Sequence, residues 1–542
     1  MCGIIYYIGN KDLSILDIEK SVKVLELRGP DNNNTIEINF NNIMGFARLS
    51  INDISESGNQ PLIKDNRYFL ICNGEIYNHK ILKDKYNLIC KSESDCEVII
   101  NMFEKFGLDN CNKIINELDG VFSFILYDKK LNKSVIARDP YGVRPLFMGY
   151  TQNNELLFCS ELKPISNYCK TVDIFKPGHY TLIDNSLVST IGKNSNYIPT
   201  LNVYHNFNFE INTDSLETIK NNIRTLLMDS VKKRLMSDRP IGCLLSGGLD
   251  SSLISSLVSK YFKPYTLNTF SIGMKGSTDL YYAKMAAEHI KSNHHNIELT
   301  TEDFLNAIEK VIYIIESYDI TTVRASVGNY LVGKYIKENT NCKVIYNGDG
   351  SEEIMGSYRW FSYIDNEEDF YKENYKLLRE ISYYDVLRSD RSISDNGLEA
   401  RVPFLDKTFV DYVMSIPAKY KMFGGDIMEK KILREAFEND NLLPKDVLWR
   451  KKEAFSDGVS SNEKSWFTII QEHLEETITD EEFNKQSSKY IHNKPFTKEA
   501  LYYRNIFEKY FTNKSNVIPH YWMPNPKWCN VNDPSARIIK TN

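Results

Sequence analysis

Gly242-Cys243-Leu244-Leu245-Ser246-Gly247-Gly248-Leu249-Asp250-Ser251-Ser252 is the stretch on which the reading of this chain turns. Residues 242–245 read as a short buried strand and 251–261 as the helix after it. The two glycines between them let backbone approach a ligand closely. Backbone N–H groups at a helix N-terminus favour a phosphate. No Lys follows the glycines, so this is not a Walker loop. Around it, helix-like and strand-like segments alternate: helix 216–236, strand 266–272, helix 281–291, strand 343–346. That rhythm predicts βαβ units around a parallel sheet, with a largely helical part running on to about residue 525.

Upstream, residues 2–190 have a different texture. Short apolar runs recur at 4–8, 68–72, 121–127, 134–137 and 156–159, separated by polar turns. Segments 14–27 and 95–106 have helical spacing. Two packed antiparallel sheets flanked by helices accommodate this pattern. The predicted order is therefore an α+β sandwich over 2–190, a linker over 191–214, an α/β parallel-sheet domain over 215–525 and an irregular tail over 526–542.

The 542 residues suit two or more domains. A 42% hydrophobic and 25% charged content is ordinary for a globular protein. The net charge of −6 points to neither nucleic acid nor a membrane surface. No run of 18 apolar residues suggests a transmembrane span, and no secretory leader is expected. Ten scattered cysteines form no CxxC pair, which fits neither a zinc site nor a disulfide framework. A reducing, cytoplasmic compartment is expected.

Cys2 directly follows Met1. Removal of Met1 would leave a thiol beside its own α-amine, so one residue would supply nucleophile and base. Asn73-Gly74-Glu75 follows the strand expected at 68–72. Asn-Gly there reads as a tight turn, but an Asn amide and a Gly N–H are also oxyanion donors. Arg48 could clamp a carboxylate or form a surface salt bridge. Asp95 could hold an ammonium group or cap a helix.

Together these residues resemble the class II glutamine amidotransferases, which are N-terminal-nucleophile enzymes. Arg28-Gly29-Pro30-Asp31, Asp119-Gly120-Val121-Phe122 and Arg138-Asp139-Pro140-Tyr141-Gly142-Val143-Arg144-Pro145-Leu146 support the likeness. The resemblance implies that Cys2 attacks the glutamine amide and that Asn73 and Gly74 stabilise the oxyanion. It implies that Arg48 holds the substrate carboxylate within the segment Arg48-Leu49-Ser50-Ile51-Asn52, and that Glu75 and Asp95 hold the α-amine. Phe46 stands where relatives often carry His.

The string at 246–252 closely resembles the pyrophosphate loop of ATP pyrophosphatase-type enzymes. Gly328-x4-Gly333-Lys334 imitates a Walker motif but reads as mid-helix, and His294-His295 lacks a metal-spaced partner. An amidotransferase part followed by a pyrophosphate-loop part resembles the glutamine-hydrolysing asparagine synthetases. Further matching strings are Ser317–Ser326, Gly397–Asp406, Glu429–Arg434, Trp449-Arg450, Phe455–Gly458, Tyr502–Arg504 and Asp533–Arg537.

This likeness implies that glutamine, aspartate and ATP are the substrates. ATP would be held by Leu245, Ser246, Gly247, Gly248, Asp250, Ser251, Ile272, Asn347 and Gly348. Mg2+ would be held by Asp250 and Glu352, and phosphate charge would be met by Lys430, which in isolation reads as a solvated helix lysine. Enzymes of this kind are often dimers. Relatives that adenylate another carboxylate, such as β-lactam synthetases, usually lose the N-terminal Cys, so Cys2 argues against that branch.

One departure stands out. This chain has Asn347-Gly348-Asp349-Gly350-Ser351-Glu352-Glu353 where the family usually has SGEGSDE. Asp349 and Glu352 keep the charge but each changes length by one methylene, in opposite senses. Asp349 would take the catalytic place of that Glu. A shift of about 1 Å can cost ~10²-fold in rate, so either the loop backbone compensates or synthetase activity is reduced.

Overall fold

The computed structural model describes residues 1–10, 12–190, 197–207, 209–453, 458–460 and 464–534. Phe455-Ser456-Asp457, Ser535-Ala536-Arg537, linker residues 191–196 and tail residues 535–542 lie outside the described residues.

The strand Gly3–Ile8, of sequence GIIYYI, is buried along its whole length. It needs apolar side chains on both faces because each face meets a different core. Ile4, Tyr6 and Ile8 meet Phe69, Ile71 and Ile125 of the opposite sheet. Ile5 and Tyr7 pack outward with Ile18, Val22 and Leu25 of the helix Ile15–Leu25. Two six-stranded antiparallel sheets result. One holds Gly3–Ile8 between Leu156–Cys159 and Asn42–Arg48. The other holds Gly120–Asp128 between Lys133–Arg138 and Tyr68–Ile76. The expected sandwich is present, and Phe46 belongs to its fully buried core.

Three local expectations are corrected. Asn73-Gly74-Glu75 is not a turn: the strand continues to Ile76 and pairs through Ile76 with Gly120. Gly74 is there for close approach, since a Cβ would lie 2.3 Å from the Val121 carbonyl oxygen. Asp95 is not a helix cap. The helix Glu97–Phe106 is capped at Cys96 without a side-chain bond, because Asp95 Oδ2 instead accepts from the Ile76 N–H at 2.6 Å. The segment between the halves is not bare linker. Asn202–Val203 adds a strand beside His179–Asp184, and the Tyr204 hydroxyl donates to the Arg138 carbonyl at 2.8 Å.

The second half carries a five-stranded parallel sheet in the order Asn293–Leu299, Asn268–Met274, Ile241–Leu244, Val344–Tyr346, Glu399–Arg401. From Ile241–Leu244 the chain first builds outward on one side, then returns to the other with Val344–Tyr346. The crevice beyond the ends of these two strands is a topological switch point, where open α/β sheets bind ligands. The Walker-like glycines lie inside the helix Ile320–Asn339. His294 bonds the hydroxyls of Thr269 and Ser271, and His295 stacks on Phe270. Residues 526–534 carry no helix or strand. No described helix is long and apolar enough to cross a membrane.

The halves share apolar clusters and a buried ion network. Ile308, Val311 and Ile315 of the helix Thr301–Ile315 join the cluster of Ile5, Tyr7 and Val22. Arg28 reaches Glu161 at 2.9 Å in its own half and Asp390 at 2.8 Å in the other, all with side chains almost fully buried. Arg144 lies 3.3 Å from Asp390 and 3.6 Å from Glu399. Removing one partner of such a group strands a buried charge, which costs about 3–5 kcal/mol. Arg28→Leu is therefore expected to lower the unfolding free energy by that order, with a lower denaturant midpoint, and to separate unfolding of the two halves. A single transition at the unaltered midpoint would refute it.

Candidate active sites

The first site forms at one end of the sandwich. Alternation along the strands places side chains of 4, 6, 8 and of 69, 71 on the two inner faces. Carried on, it sets Cys2 on one inner face and Asn73 and Glu75 on the other. The loop after Asn42–Arg48 joins them. Its Leu49 carbonyl accepts from Cys2 Sγ at 3.6 Å, and its Asn52 amide donates to Glu75 and to Asp95 Oδ1, the latter at 3.4 Å. Leu49, Ser50 and Ile51 are buried, and Ser50 and Ile51 abut the other half through Arg239 and Asp238.

The Asn73 side chain is fully buried, and neither its Nδ2 nor its Oδ1 has a hydrogen-bond partner among the described residues. A buried amide without partners costs stability unless a ligand supplies them. Glu75 and Asp95 form an acidic pair. Burial, then Glu399 and Asp95, push the Glu75 carboxyl well above its ordinary value. Burial likewise raises Asp95, against the bond from Ile76. Such a pair is relieved by a cation, and a substrate ammonium group is one. Burial raises the Cys2 thiol, while the nearby N-terminal amine acts to lower it.

Arg48 is buried rather than in a surface ion pair. Its guanidinium donates to the Ser55 carbonyl at 2.8 Å, to Asn59 Oδ1 at 2.7 Å and to the Asp53 carbonyl. In this arrangement it braces the loop over residues 49–59.

The second site fills the switch-point crevice, a cavity of about 280 Å³. Leu245, Ser246, Gly248, Asp250, Ser251, Ile272, Asn347 and Gly348 all line it. Gly247 has φ +74°, and a Cβ there would sit 2.4 Å from the Ala283 nitrogen, so glycine is required. The helix Leu249–Phe262 starts at Gly248 with no side-chain cap, which leaves N-terminal N–H groups for a ligand. Ser246 and Ser251 hydroxyls bond each other at 2.9 Å and shape the loop.

Lys430 is no solvated lysine. It is 4% exposed, and its Nζ donates to Asp250 Oδ2 at 2.6 Å and Glu352 Oε1 at 2.7 Å. Lys452, which the sequence reading passed over, also bonds Glu352 and donates to the Ser357 carbonyl at 3.0 Å. Its only sequence signal is its place three residues ahead of the string 455–458. Arg388, likewise passed over, holds Asp349 at 2.9 Å and Asp385 at 2.9 Å. The longer Glu352 thus spans two lysines, while the shorter Asp349 is met by an arginine.

Among the described residues no group of three or more His, Cys, Asp or Glu could hold a metal by itself. Asp250 and Glu352 nevertheless converge on one cationic point, Lys430 Nζ. Two hard carboxylate oxygens completed by phosphate oxygens and water match the needs of Mg2+.

Burial acts to raise Glu352, and Lys430 and Lys452 overcome it, holding its carboxyl at about 2 against an ordinary 4.5. A carboxyl lowered on folding stabilises the fold above its unfolded value and loses that contribution as pH falls. Glu352→Gln is therefore expected to lower Tm at pH 7, with the deficit shrinking as pH falls from 4.5 towards 2. A deficit independent of pH would contradict this charge assignment.

Comparisons with known proteins cover both halves of the chain. A family model described as glutamine amidotransferase domain matches residues 1–210. One described as asparagine synthase matches residues 222–373 and 363–524. The asparagine synthetase [glutamine-hydrolyzing] of Rattus norvegicus is 41% identical over 560 residues, covering 99% of this chain and 98% of its own. That of Gallus gallus is 42% identical, covering 100% and 99%. The probable asparagine synthetase [glutamine-hydrolyzing] of Acanthamoeba polyphaga mimivirus is 41% identical, covering 99% and 100%. With the sandwich, the switch-point cavity and near-complete coverage in agreement, the chain belongs to the glutamine-hydrolysing asparagine synthetase family.

Proposed function

We propose that the chain is a ligase that moves the amide nitrogen of glutamine onto aspartate at the expense of ATP. The observation that carries the reading is the pairing, in one chain, of a buried Asn73 amide without a partner among the described residues, on the sheet opposite Cys2, with Lys430 bridging Asp250 and Glu352.

At the first site, Met1 is removed and the Cys2 α-amine takes the proton of the Cys2 thiol. Sγ then attacks the glutamine amide carbon. The oxyanion is met by the Asn73 amide and a Gly74 N–H aimed where charge develops. Glu75 and Asp95 hold the α-ammonium, and Arg48 offers its charge to the α-carboxylate. The Cys2 α-ammonium returns its proton to the leaving nitrogen, so collapse releases ammonia and leaves a thioester, which water hydrolyses to glutamate and the free thiol.

At the second site, Ser246, Gly247, Gly248 and Ser251 cradle the phosphates of ATP, and Leu245, Ile272, Asn347 and Gly348 form the rest of its pocket. The aspartate β-carboxylate attacks the α-phosphorus, pyrophosphate leaves, and β-aspartyl-AMP forms. Lys430 and Lys452 meet the negative charge that grows on the phosphate oxygens. Asp250 and Glu352 would hold Mg2+, which supplies further charge neutralisation when bound. Asp349, set by Arg388, stands beside the reacting carboxylate and removes a proton from the attacking ammonia. Ammonia adds to the acyl carbon, AMP leaves, and asparagine results. Ten free cysteines suit a reducing compartment such as the cytoplasm.

Incubation with ATP, magnesium and aspartate is expected to yield AMP, pyrophosphate and asparagine with either glutamine or ammonium as donor. Absence of AMP and asparagine with both donors would reject the reading. Cys2→Ala is expected to abolish the glutamine-dependent reaction and to spare the ammonium-dependent one. Continued use of glutamine by that variant would remove Cys2 from the mechanism.

A further inference from the structure

Lys421 is a buried lysine that neither site uses. It follows the turn Ala418–Tyr420 and is 3% exposed. Its Nζ donates to Asn374 Oδ1 at 2.9 Å and to the carbonyls of Ile354 and Val413 at 3.3 Å each. The rings of Phe370 and Tyr371 close over it at 5.7 and 5.8 Å. Three helices surround it: Ser351–Met355, Glu367–Glu380 and Lys407–Ser415. Their nearby acids are engaged elsewhere. Glu353 accepts from Tyr358, Glu373 accepts from Asn525, Glu367 accepts from the Lys419 N–H, and Asp411 feels Lys407. The Tyr371 hydroxyl donates to the Ile416 carbonyl at 2.6 Å.

The partners of Lys421 give it a position that matters. Asn374, which it bonds, turns its own Nδ2 to the Glu353 carbonyl. One Lys–Asn pair thus holds two consecutive carbonyls, Glu353 and Ile354, near the C-terminal end of the helix Ser351–Met355. Carbonyls in that place lack helical partners, and a cation there is favourable. The same helix carries Glu352, whose carboxylate reaches both Lys430 and Lys452.

We propose that Lys421, acting through Asn374, is a positioning residue for the adenylating site. It clasps the Glu353 and Ile354 carbonyls and so fixes the helix that aims Glu352 at Lys430 and Lys452. This rests on the assignment of Glu352 and Lys430 to the adenylation step. The clasp also carries its own pH dependence. Burial without a carboxylate partner lowers the Lys421 ammonium to about 7. As an ammonium it has three donors for three acceptors; as an amine it has two. One carbonyl therefore loses its partner as pH rises through that value, and the helix is held less firmly.

The test measures glutaminase and ammonium-dependent synthesis on the full-length chain. Lys421→Met keeps the apolar stem and removes every donor. Synthesis kcat is expected to fall on the order of 10²-fold, the cost of a misplacement near 1 Å, with glutaminase kcat unchanged. In the parent protein the ratio of synthesis to glutaminase should decline as pH rises through about 7. Lys421→Met should flatten that decline. Asn374→Asp gives Lys421 a carboxylate but removes the donor to the Glu353 carbonyl, so synthesis should fall at every pH while the decline that remains moves to more alkaline pH. The proposal is overturned if Lys421→Met keeps parental synthesis, loses both activities alike, or retains the decline. If the parent protein itself releases neither AMP nor asparagine, the functional reading fails instead.

Discussion

The buried ion network between the halves is the constraint on which the rest of this structure depends. Arg28 donates to the Cys2 carbonyl at 3.0 Å, and the same guanidinium is shared between Glu161 and Asp390. Asp390 passes the contact to Arg144, Arg144 to Glu399, and Glu399 to Arg401 at 2.9 Å. Arg401 ends within 3.7 Å of Glu75. The chain of charges therefore starts at the backbone of Cys2 and returns to Glu75 of the same half, passing through the other half on the way. None of these groups tolerates burial alone. The two halves must seat correctly before the glutamine pocket has its charges in place.

The two sites solve opposite electrostatic problems with the same residue types. On the glutamine side, Glu75 and Asp95 are crowded with Glu399 away from water, and their carboxyls are raised. That pocket is short of positive charge, which suits the ammonium group of the proposed substrate. On the ATP side, Lys430 and Lys452 hold Glu352 low. That crevice has cations on hand for phosphate oxygens. Perturbed acids at functional sites are expected, and the sign of each shift suits the charge of the group that the proposed function assigns to that pocket.

The alternating rhythm after residue 216 predicted a parallel sheet, and the glycine loop marked its ligand edge, because both depend on local spacing. Asn73-Gly74 misled for a physical reason. A strand continues through Asn-Gly when a neighbouring strand supplies the ladder, and only the pairing with Val121–Ser123 reveals that. Asp95 looked like a cap because it precedes a helix, yet the Ile76 N–H, 19 residues earlier, claims its carboxylate. Lys452 and Arg388 carry no local signal that separates them from surface cations. Their roles follow from Glu352 and Asp349, which lie 100 and 39 residues away.

By itself the sequence determined the kinds of layer and the position of the glycine loop at the end of its strand, since periodicity and glycine placement are properties of neighbours along the chain. The tertiary structure alone decided which charges meet. It left the Asn73 amide without a partner among the described residues, seated Lys430 between two acids, turned Arg48 onto backbone carbonyls and placed Lys421 behind the acidic helix. Pairing of buried charges depends on distances between segments far apart in the chain, and those distances exist only once the core has closed.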